Sequence, residues 1–214
     1  MDHPISGIRR EYALRGLSER DAAADPFKQF DVWFDEAVRA GLHEPNAMAL
    51  ATVDTAGQPS VRLVLLKGFD QRGVVFYTNY NSRKARELAD NRKAALCFWW
   101  PELERQVRIE GVVEKVSPEE SDAYFQSRPR EAQLGAAVSD QSHVLESREA
   151  LERRFWELES HLRGKPVPRP ASWGGLRLQP HAFEFWQGRP HRLHDRLRYT
   201  RQTDGNWKIE RLAP

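Results

Sequence analysis

The fold class follows from residues 47–70, "AMALATVDTAGQPSVRLVLLKGFD". Two runs rich in apolar and β-branched residues flank the turn signal "TAGQP", a pattern typical of neighbouring antiparallel strands. A further short turn at 70–73 leads into another β-like run, "GVVFYTNY". Because parallel strands need long crossover connections, these short turns argue against a parallel βαβ sheet.

Helical periodicity interrupts the β-rich pattern at intervals. The spacing of apolar residues and capping signals predicts helices over 25–41, 82–91 and 147–164. The last fifty residues return to strand-like runs, and "QTDGN" (202–206) predicts a hairpin between the final two. About six to eight mostly antiparallel strands with inserted helices indicate a barrel or sandwich of the α+β class.

Composition limits the classes of function. The 214 residues include 33 basic and 31 acidic side chains, a balance that disfavours non-specific nucleic-acid binding. The single cysteine, Cys97, excludes an internal disulfide framework, and no metal site is expected. The N-terminus lacks the apolar core of a secretory signal, and no apolar run is long enough to span a membrane, so a soluble, cytoplasmic protein is expected.

Charged residues interrupt one apolar strand, "VRLVLLKG" (61–68). A buried charge there needs an anionic partner, whereas an edge strand would leave Arg62 and Lys67 in water. The two positions differ in parity, so a flat strand places them on opposite faces. Only a bulge, or a ligand that wraps the strand end, would bring both to one site.

A phosphate-binding pattern follows at "YTNYNSRKARE" (77–87). Tyr77 and Thr78 end a strand, and Ser82 is the predicted N-cap of a helix with Arg83 and Lys84 in its first turn. Cations are unfavourable at a helix N-terminus unless an anion is bound there. The stretch therefore indicates a phosphate site.

The segment "YFQSRPREAQLGAAVSDQS" (124–142) is more ambiguous. Tyr124 and Arg128 share a face if the helix persists, but on this stretch alone a solvent-facing helix end is the favoured explanation. Glu102 and Glu104 are interpreted as surface residues.

The stretch "HRLHDR" (191–196) also concentrates cations. Written as a strand, residues 192–196 direct Arg192, His194 and Arg196 to one face and Leu193 and Asp195 to the other. Such a face would suit an anion or an electron-rich ring.

Together these stretches resemble the pyridoxamine 5'-phosphate oxidase family, from "RREY" at 9–12 to the terminal "RLAP". The specific motifs, in family order and spacing, are "RLVLLKG", "FYTNYNSRKA", "ERQVRIEG", "YFQSRPR", "WGG", "EFWQG" and "HRLHDR". The resemblance implies a homodimeric FMN-binding split β-barrel, antiparallel and Greek-key-like, with flanking helices. It implies a substrate-covering segment over 1–24 and an FMN-binding domain over 25–214.

The resemblance also implies roles for individual residues. The FMN contacts would be Arg62, Leu63, Val64, Leu65, Leu66, Lys67, Tyr77, Thr78, Arg83, Lys84, Gln106, Gln141, Ser142, Trp186 and Arg196. The substrate contacts would be Arg9, Arg10, Glu11, Tyr12, Lys67, Tyr124, Arg128, Ala132, Arg192, Leu193 and His194. Among these, Arg192 and His194 are the expected catalytic residues, with His194 as the proton acceptor because a cationic arginine is a poor base.

The implied reaction is FMN-dependent oxidation of pyridoxamine and pyridoxine 5'-phosphates to pyridoxal 5'-phosphate, with oxygen reduced to hydrogen peroxide. Two departures from the family pattern are Ala132, where many members carry serine, and Ala137, where many carry tryptophan. The alternatives are a split-barrel flavin oxidase or reductase acting on another ring, a non-catalytic flavin or pyridoxal-phosphate carrier, and an RNA-binding barrel. No nucleic-acid or membrane partner is expected.

Overall fold

The computed structural model describes residues 11–14 and 16–214. Within this part of the chain the helices are α1 (Pro26–Arg39), α2 (Arg83–Asp90), α3 (Pro118–Ser127), α4 (Arg130–Val138) and α5 (Arg148–His161). The strands are β1 (Ala47–Val53), β2 (Pro59–Leu65), β3 (Gly68–Asp70), β4 (Gly73–Asn79), β5 (Lys93–Trp100), β6 (Arg105–Lys115), β7 (Trp173–Gln187), β8 (Asp195–Arg201) and β9 (Trp207–Arg211).

These strands form one sheet in the order β2-β1-β5-β6-β7-β4-β3, with β8 paired to β7 and β9 to β8. The pairs β3–β4, β4–β7, β7–β8 and β8–β9 are antiparallel. The hairpin predicted at "QTDGN" is confirmed, because Arg201 lies opposite Trp207 across it. None of the described helices is long and apolar enough to cross a membrane.

The chain divides into two compact units. The first contains the described residues up to Ala49, Ala95–Glu110 and Pro180–Pro214, and the second contains Leu50–Ala94 and Gly111–Gln179. Strands β1, β5, β6 and β7 therefore each contribute residues to both units.

Helix α1 supplies one side of the core of the first unit. It begins as predicted, since the Asp25 carboxylate accepts a hydrogen bond from the Phe27 backbone N–H. Phe27, Phe30 and Trp33 recur at helical spacing and are buried. The Phe30 ring lies 5.1 Å from that of Phe98, so helix and sheet share an aromatic core.

Helices α3, α4 and α5 enclose the core of the second unit. Phe125, Leu134, Val167 and Trp173 are buried together there. Strand β4 lies beside β7 in a register that sets Tyr77 opposite Gly175 and Thr78 opposite Gly174. A β-carbon at Gly174 would overlap the hydroxyl of Tyr80, and one at Gly175 would come within 2.9 Å of the Tyr77 ring. The two glycines thus make room for tyrosines.

Several boundaries differ from expectation. The strand-like run 60–70 is divided between β2 and β3. The two strand-like runs at 175–180 and 182–188 instead belong, up to Gln187, to one continuous strand, β7, which passes through Pro180. Helix α4 was not anticipated as a separate helix. Helix α5 ends at His161, because Leu162 is its C-cap and Gly164, at φ +73°, lies in the turn beyond.

Candidate functional site

A cavity of about 750 Å³ lies in the second unit. Its wall comes from β2, from the end of β4, from the start of α2 and from the segments around α3 and α4. Thirteen of the predicted residues line it: Arg62, Leu63, Val64, Leu65, Lys67, Tyr77, Thr78, Arg83, Lys84, Tyr124, Arg128, Gln141 and Ser142.

Lys84 is a buried cation with neutral partners. Only 9% of the residue is exposed, and its Nζ donates to Gln141 Oε1 at 2.9 Å and to Thr78 Oγ1 at 3.2 Å. Among the described residues no carboxylate lies within ion-pair distance of it. Burial, followed by the charge of Arg62, lowers the pKa of Lys84. An ammonium in this setting is stabilised when an anion joins it.

The N-terminus of α2 adds donors at the same place. Ser82 occupies the predicted N-cap position and is fully buried, yet its side chain makes no capping hydrogen bond. The first-turn N–H groups therefore receive no acceptor from Ser82. Arg83 and Lys84 follow immediately, so donors and positive charge coincide at one wall of the cavity.

Glu87 fixes two of the cavity's arginines. Its carboxylate accepts hydrogen bonds from Ser60 Oγ at 2.7 Å, from Arg83 Nε at 2.8 Å and from Arg62 Nη2 at 3.3 Å, and also from Thr52. Burial alone would raise its pKa, but these hydrogen bonds and the charge of Arg62 outweigh burial and lower the pKa of Glu87 to about 2. The anionic partner expected for Arg62 is thus a side chain of the same unit.

The parity problem of Arg62 and Lys67 is resolved by the break between β2 and β3. Strand β2 ends at Leu65, and Lys67 lies in the gap before Gly68, where its N–H donates to Val75 O at 2.9 Å. The irregular backbone lets both side chains line one cavity.

An aromatic stack forms another wall. The Tyr77 and Tyr124 rings lie 3.9 Å apart at an angle of 19°, and the Tyr77 and Trp173 rings lie 5.4 Å apart. Burial raises the pKa of Tyr77 to about 12, so its hydroxyl stays protonated. The Arg128 guanidinium sits 4.8 Å above the Trp173 ring.

Arg128 has an unsatisfied donor. Its Nη1 is buried and has no hydrogen-bond partner among the residues described. Burial also lowers the pKa of this guanidinium. A buried donor without a partner is rare in native structures and often marks the place of a ligand. Arg130, by contrast, is occupied by the Leu162 and Lys165 carbonyl oxygens.

The first unit carries a separate aromatic group of predicted residues. Tyr12 lies edge-on to Trp186 at 5.7 Å and to His194 at 5.6 Å, and the Trp186 and His194 rings are 4.6 Å apart. His194 Nδ1 accepts a hydrogen bond from the Arg189 N–H at 3.1 Å. Burial, and then the charge of Arg192, lowers the pKa of His194.

The predicted strand over 192–196 is wrong. Residues Pro190–Arg192 form a short 3-10 turn, and β8 begins only at Asp195. Pro190 starts the turn, and His191 and Arg192 both have left-handed backbone angles, with φ of 56° and 62°. Alternation therefore does not govern this stretch, and Arg192 and Leu193 are exposed.

Arg196 already has an anionic partner in the first unit. Its Nε donates to Glu184 Oε1 at 2.8 Å, and its Nη1 donates to the Ala213 carbonyl. Arg108 also donates to Glu184, at 3.3 Å. Gln106 lies half-buried in β6 of the same unit.

Other predicted residues fall elsewhere. Leu66 is buried and Ala132 half-buried, and neither lines the cavity. Glu11 is exposed, and Arg9 and Arg10 lie outside the described residues. The interpretation of Glu104 as a surface residue is wrong, because only 4% of it is exposed.

Sequence reasoning missed Glu87, Trp173 and Glu184. Glu87 could have been found from its i,i+4 spacing to Arg83, which is the spacing of a helical ion pair. Glu184 carried no such local signal, because its partners Arg196 and Arg108 come from other strands.

Comparison with known proteins assigns the family. Residues 34–162 match the family described as "Pyridoxamine 5'-phosphate oxidase", and residues 173–214 match "Pyridoxine 5'-phosphate oxidase C-terminal dimerisation region". A protein of Nostoc punctiforme named pyridoxine/pyridoxamine 5'-phosphate oxidase is 59% identical, with all of both chains covered. One of the same name from Rubrobacter xylanophilus is 60% identical, covering 98% of this chain and 96% of its own.

Solved structures agree with the fold. PhzG from Burkholderia lata, in complex with tetrahydrophenazine-1-carboxylic acid, superposes with a TM-score of 0.90 at 34% identity, covering 96% of this chain and all of its own. A pyridoxamine 5'-phosphate oxidase-related, FMN binding protein from Nostoc punctiforme superposes with a TM-score of 0.71 at 21% identity, covering 89% and 98% of the two chains.

The chain belongs to the pyridoxamine 5'-phosphate oxidase family. The predicted α+β class, a split β-barrel with flanking helices, is confirmed, as is the oxidoreductase class. The C-terminal match supports the predicted homodimer. Buried Lys84, which forms no ion pair with the described carboxylates, and the N-terminus of α2 offer a cation and N–H donors that suit a phosphate monoester.

Proposed function

We propose that the protein oxidises pyridoxamine 5'-phosphate and pyridoxine 5'-phosphate to pyridoxal 5'-phosphate, with oxygen as the final acceptor and hydrogen peroxide as the by-product. The observation that carries the proposal is that one cavity holds two groups of cations, Arg83 with Lys84 and Lys67 with Arg128. Both the cofactor and the substrate bear a phosphate, so two anion sites are needed.

The first group would hold FMN. Lys84 and the N–H groups at the start of α2 would bind its phosphate, while Gln141 and Thr78 orient the ammonium. Arg62 and Arg83 would face the same anion in positions set by Glu87. Bound FMN supplies acceptance of a hydride equivalent from the substrate and reoxidation by oxygen.

The second group would hold the substrate phosphate. The unpartnered Arg128 Nη1 is a donor ready for a phosphate oxygen, and Lys67 and Tyr124 line the same cavity. Ala132 offers no hydroxyl to this phosphate. A missing hydrogen bond to a charged group costs roughly 1.5–3 kcal/mol, so it weakens binding without removing the site.

His194 would orient the substrate by donating a hydrogen bond. Because its Nδ1 accepts the Arg189 N–H, the neutral ring carries its proton on Nε2. Burial, and then the charge of Arg192, lowers the pKa of His194 and so favours the neutral ring. In this arrangement Nε2 is a donor, which disfavours the earlier expectation that His194 accepts the substrate proton. Arg192 would supply positive charge beside it.

The remaining predicted residues complete the proposal. FMN would bind at the interface of the homodimer, where Gln106, Trp186 and Arg196 complete its site. Residues 1–24 would cover the substrate, and Tyr12 is the described residue of that segment that contacts Trp186 and His194.

A second candidate, oxidation of another ring, has one specific observation in its favour. PhzG, crystallised with tetrahydrophenazine-1-carboxylic acid, has 34% identity and a TM-score of 0.90. The 59% and 60% identity to proteins named for pyridoxine and pyridoxamine 5'-phosphates favours those substrates. Ala137 does not weigh on the choice, because it packs against the apolar core of the second unit.

The experiment is anaerobic flavin spectroscopy of the purified holoenzyme with each candidate substrate. We expect pyridoxine 5'-phosphate to bleach the flavin, and admission of air to restore its colour while the aldehyde appears. Bleaching by tetrahydrophenazine-1-carboxylic acid alone would replace the proposal with the second candidate. A yellow protein that neither compound bleaches would indicate a flavin carrier.

A further inference from the structure

We propose that Glu104 is a positioning residue for substrate binding, which holds Tyr12 against Trp186 and His194 by binding the backbone just after Tyr12. The proposal rests on the proposed function, since it concerns the segment that would cover the substrate. All the residues in the argument lie in the first unit.

The Glu104 carboxylate binds two consecutive peptide groups. Its Oε2 accepts the N–H of Ala13 at 3.0 Å and the N–H of Leu14 at 3.2 Å. Both hydrogen bonds have a charged carboxylate oxygen as acceptor, which makes them stronger than hydrogen bonds between neutral groups. Glu104 is only 4% exposed while Ala13 and Leu14 are exposed, so a buried carboxylate holds the backbone of a surface segment.

The backbone of Glu104 is anchored independently of its side chain. Its carbonyl oxygen accepts the Gly188 N–H at 2.7 Å and Gln187 Nε2 at 3.2 Å. Its φ of 55° and ψ of 39° are left-handed, a conformation that glycine or asparagine adopts more readily. Glutamate stands here although glycine would suit the backbone better, and its carboxylate binds the Ala13 and Leu14 N–H groups.

Gly188 allows the two residues to meet. A β-carbon there would lie 2.7 Å from Tyr12 Cγ and 3.0 Å from Glu104 Cβ. Tyr12 therefore packs directly over this glycine while its ring edge meets Trp186 and His194, at 5.7 and 5.6 Å. Tyr12 and the β-carbon of Glu104 thus both lie against Gly188.

The chain from Leu14 to Leu17 is held by hydrogen bonds that do not involve the Glu104 side chain. The Leu17 N–H donates to Asp195 Oδ2 at 3.0 Å, and Arg211 donates to the Leu17 carbonyl. Arg189 holds the Leu14 carbonyl at 2.7 Å. Loss of the Glu104 carboxylate should thus free the Ala13 and Leu14 N–H groups and loosen the chain around Tyr12, while the Leu14 carbonyl and the chain from Leu17 onward stay held.

The test compares Glu104→Gly, Glu104→Gln and the control Glu102→Gln in the holoenzyme. Glycine suits the left-handed backbone and removes the carboxylate, so it separates the side-chain role from the turn. Glutamine keeps an acceptor oxygen and should give an intermediate effect. Glu102 is exposed two residues away.

We expect Glu104→Gly to speed hydrogen exchange of the Ala13 and Leu14 amides without substrate present. We expect it to raise KM for pyridoxine 5'-phosphate roughly tenfold or more, with kcat and flavin content close to those of the parent. Unchanged exchange in Glu104→Gly would overturn the proposal, as would parallel losses of flavin and thermal stability. Absence of oxidase activity in the parent would refute the proposed function, while the exchange result would still decide the role of Glu104.

Discussion

Replacing Lys84 with methionine should separate the protein's cofactor affinity from its stability. The substitution keeps a long unbranched side chain and removes the charge. In the apoprotein, Lys84 is 9% exposed and its ammonium lies among the neutral oxygens of Thr78 and Gln141, and burial lowers its pKa. Because that arrangement is costly without an anion, we expect the Lys84→Met apoprotein to unfold at the same temperature as the parent or higher.

The effect on FMN should have the opposite sign. A hydrogen bond to a charged group contributes roughly 1.5–3 kcal/mol, which corresponds to a roughly 10- to 150-fold change in the dissociation constant. Riboflavin lacks the phosphate, so its affinity should change little. The loss should therefore appear only with FMN.

The assay is fluorescence titration of the apoprotein with FMN and with riboflavin, alongside thermal unfolding. Lys93→Met is the matched control, because Lys93 is an exposed lysine on β5. Equal weakening of both flavins, or no weakening of FMN, would show that Lys84 does not bind the phosphate. A large drop in apoprotein stability would show that its neutral partners satisfy it.

Three further predictions concern other residues. The pKa of Glu87 is about 2 in the folded protein against an ordinary 4.5, so its contribution to stability should be present above pH 4.5 and lost as the pH falls toward 2. The unfolding temperatures of the parent and of Glu87→Gln should therefore converge on acidification. A constant difference between the two unfolding temperatures across this pH range would contradict the prediction. Arg128→Ala should raise KM for pyridoxine 5'-phosphate but not for unphosphorylated pyridoxine in steady-state assays, and an equal rise for both would rule out phosphate binding. Phe30→Ala should lower the free energy of unfolding in urea by about 3–5 kcal/mol, since its ring is 1% exposed, and a loss below 1 kcal/mol would mean that the core refills the space.

The sequence predicted those features that depend on local patterns. Asp25 and the apolar residues at helical spacing predict helix α1, and the turn residues at 202–206 predict the β8–β9 hairpin. The cations of the cavity could also be predicted from the sequence. Arg62 interrupts an apolar strand, and Lys84 lies in the first turn of a helix, where a positive charge is unfavourable without a bound anion. Such signals need no knowledge of tertiary contacts.

Features that depend on distant partners were not predictable in this way. Arg62 was expected to need an anion, but its partner Glu87 lies 25 residues away and becomes a neighbour only in the folded sheet and helix. The strand predicted over 192–196 rested on alternating residue types, whereas the turn over Pro190–Arg192, with left-handed angles at His191 and Arg192, breaks the alternation. The role of Glu104 was invisible because its ligands are backbone N–H groups 90 and 91 residues away.

The two glycines of "WGG" are required by packing and not by contact with a ligand. A β-carbon at Gly174 would overlap Tyr80, and one at Gly175 would come too close to Val116 and Tyr77. That restriction would hold whatever ring the cavity accepts, since it comes from packing and not from chemistry. A protein that shares these glycines is thus expected to share the fold, while one that shares Lys84 or Arg128 is expected to bind a similar ligand.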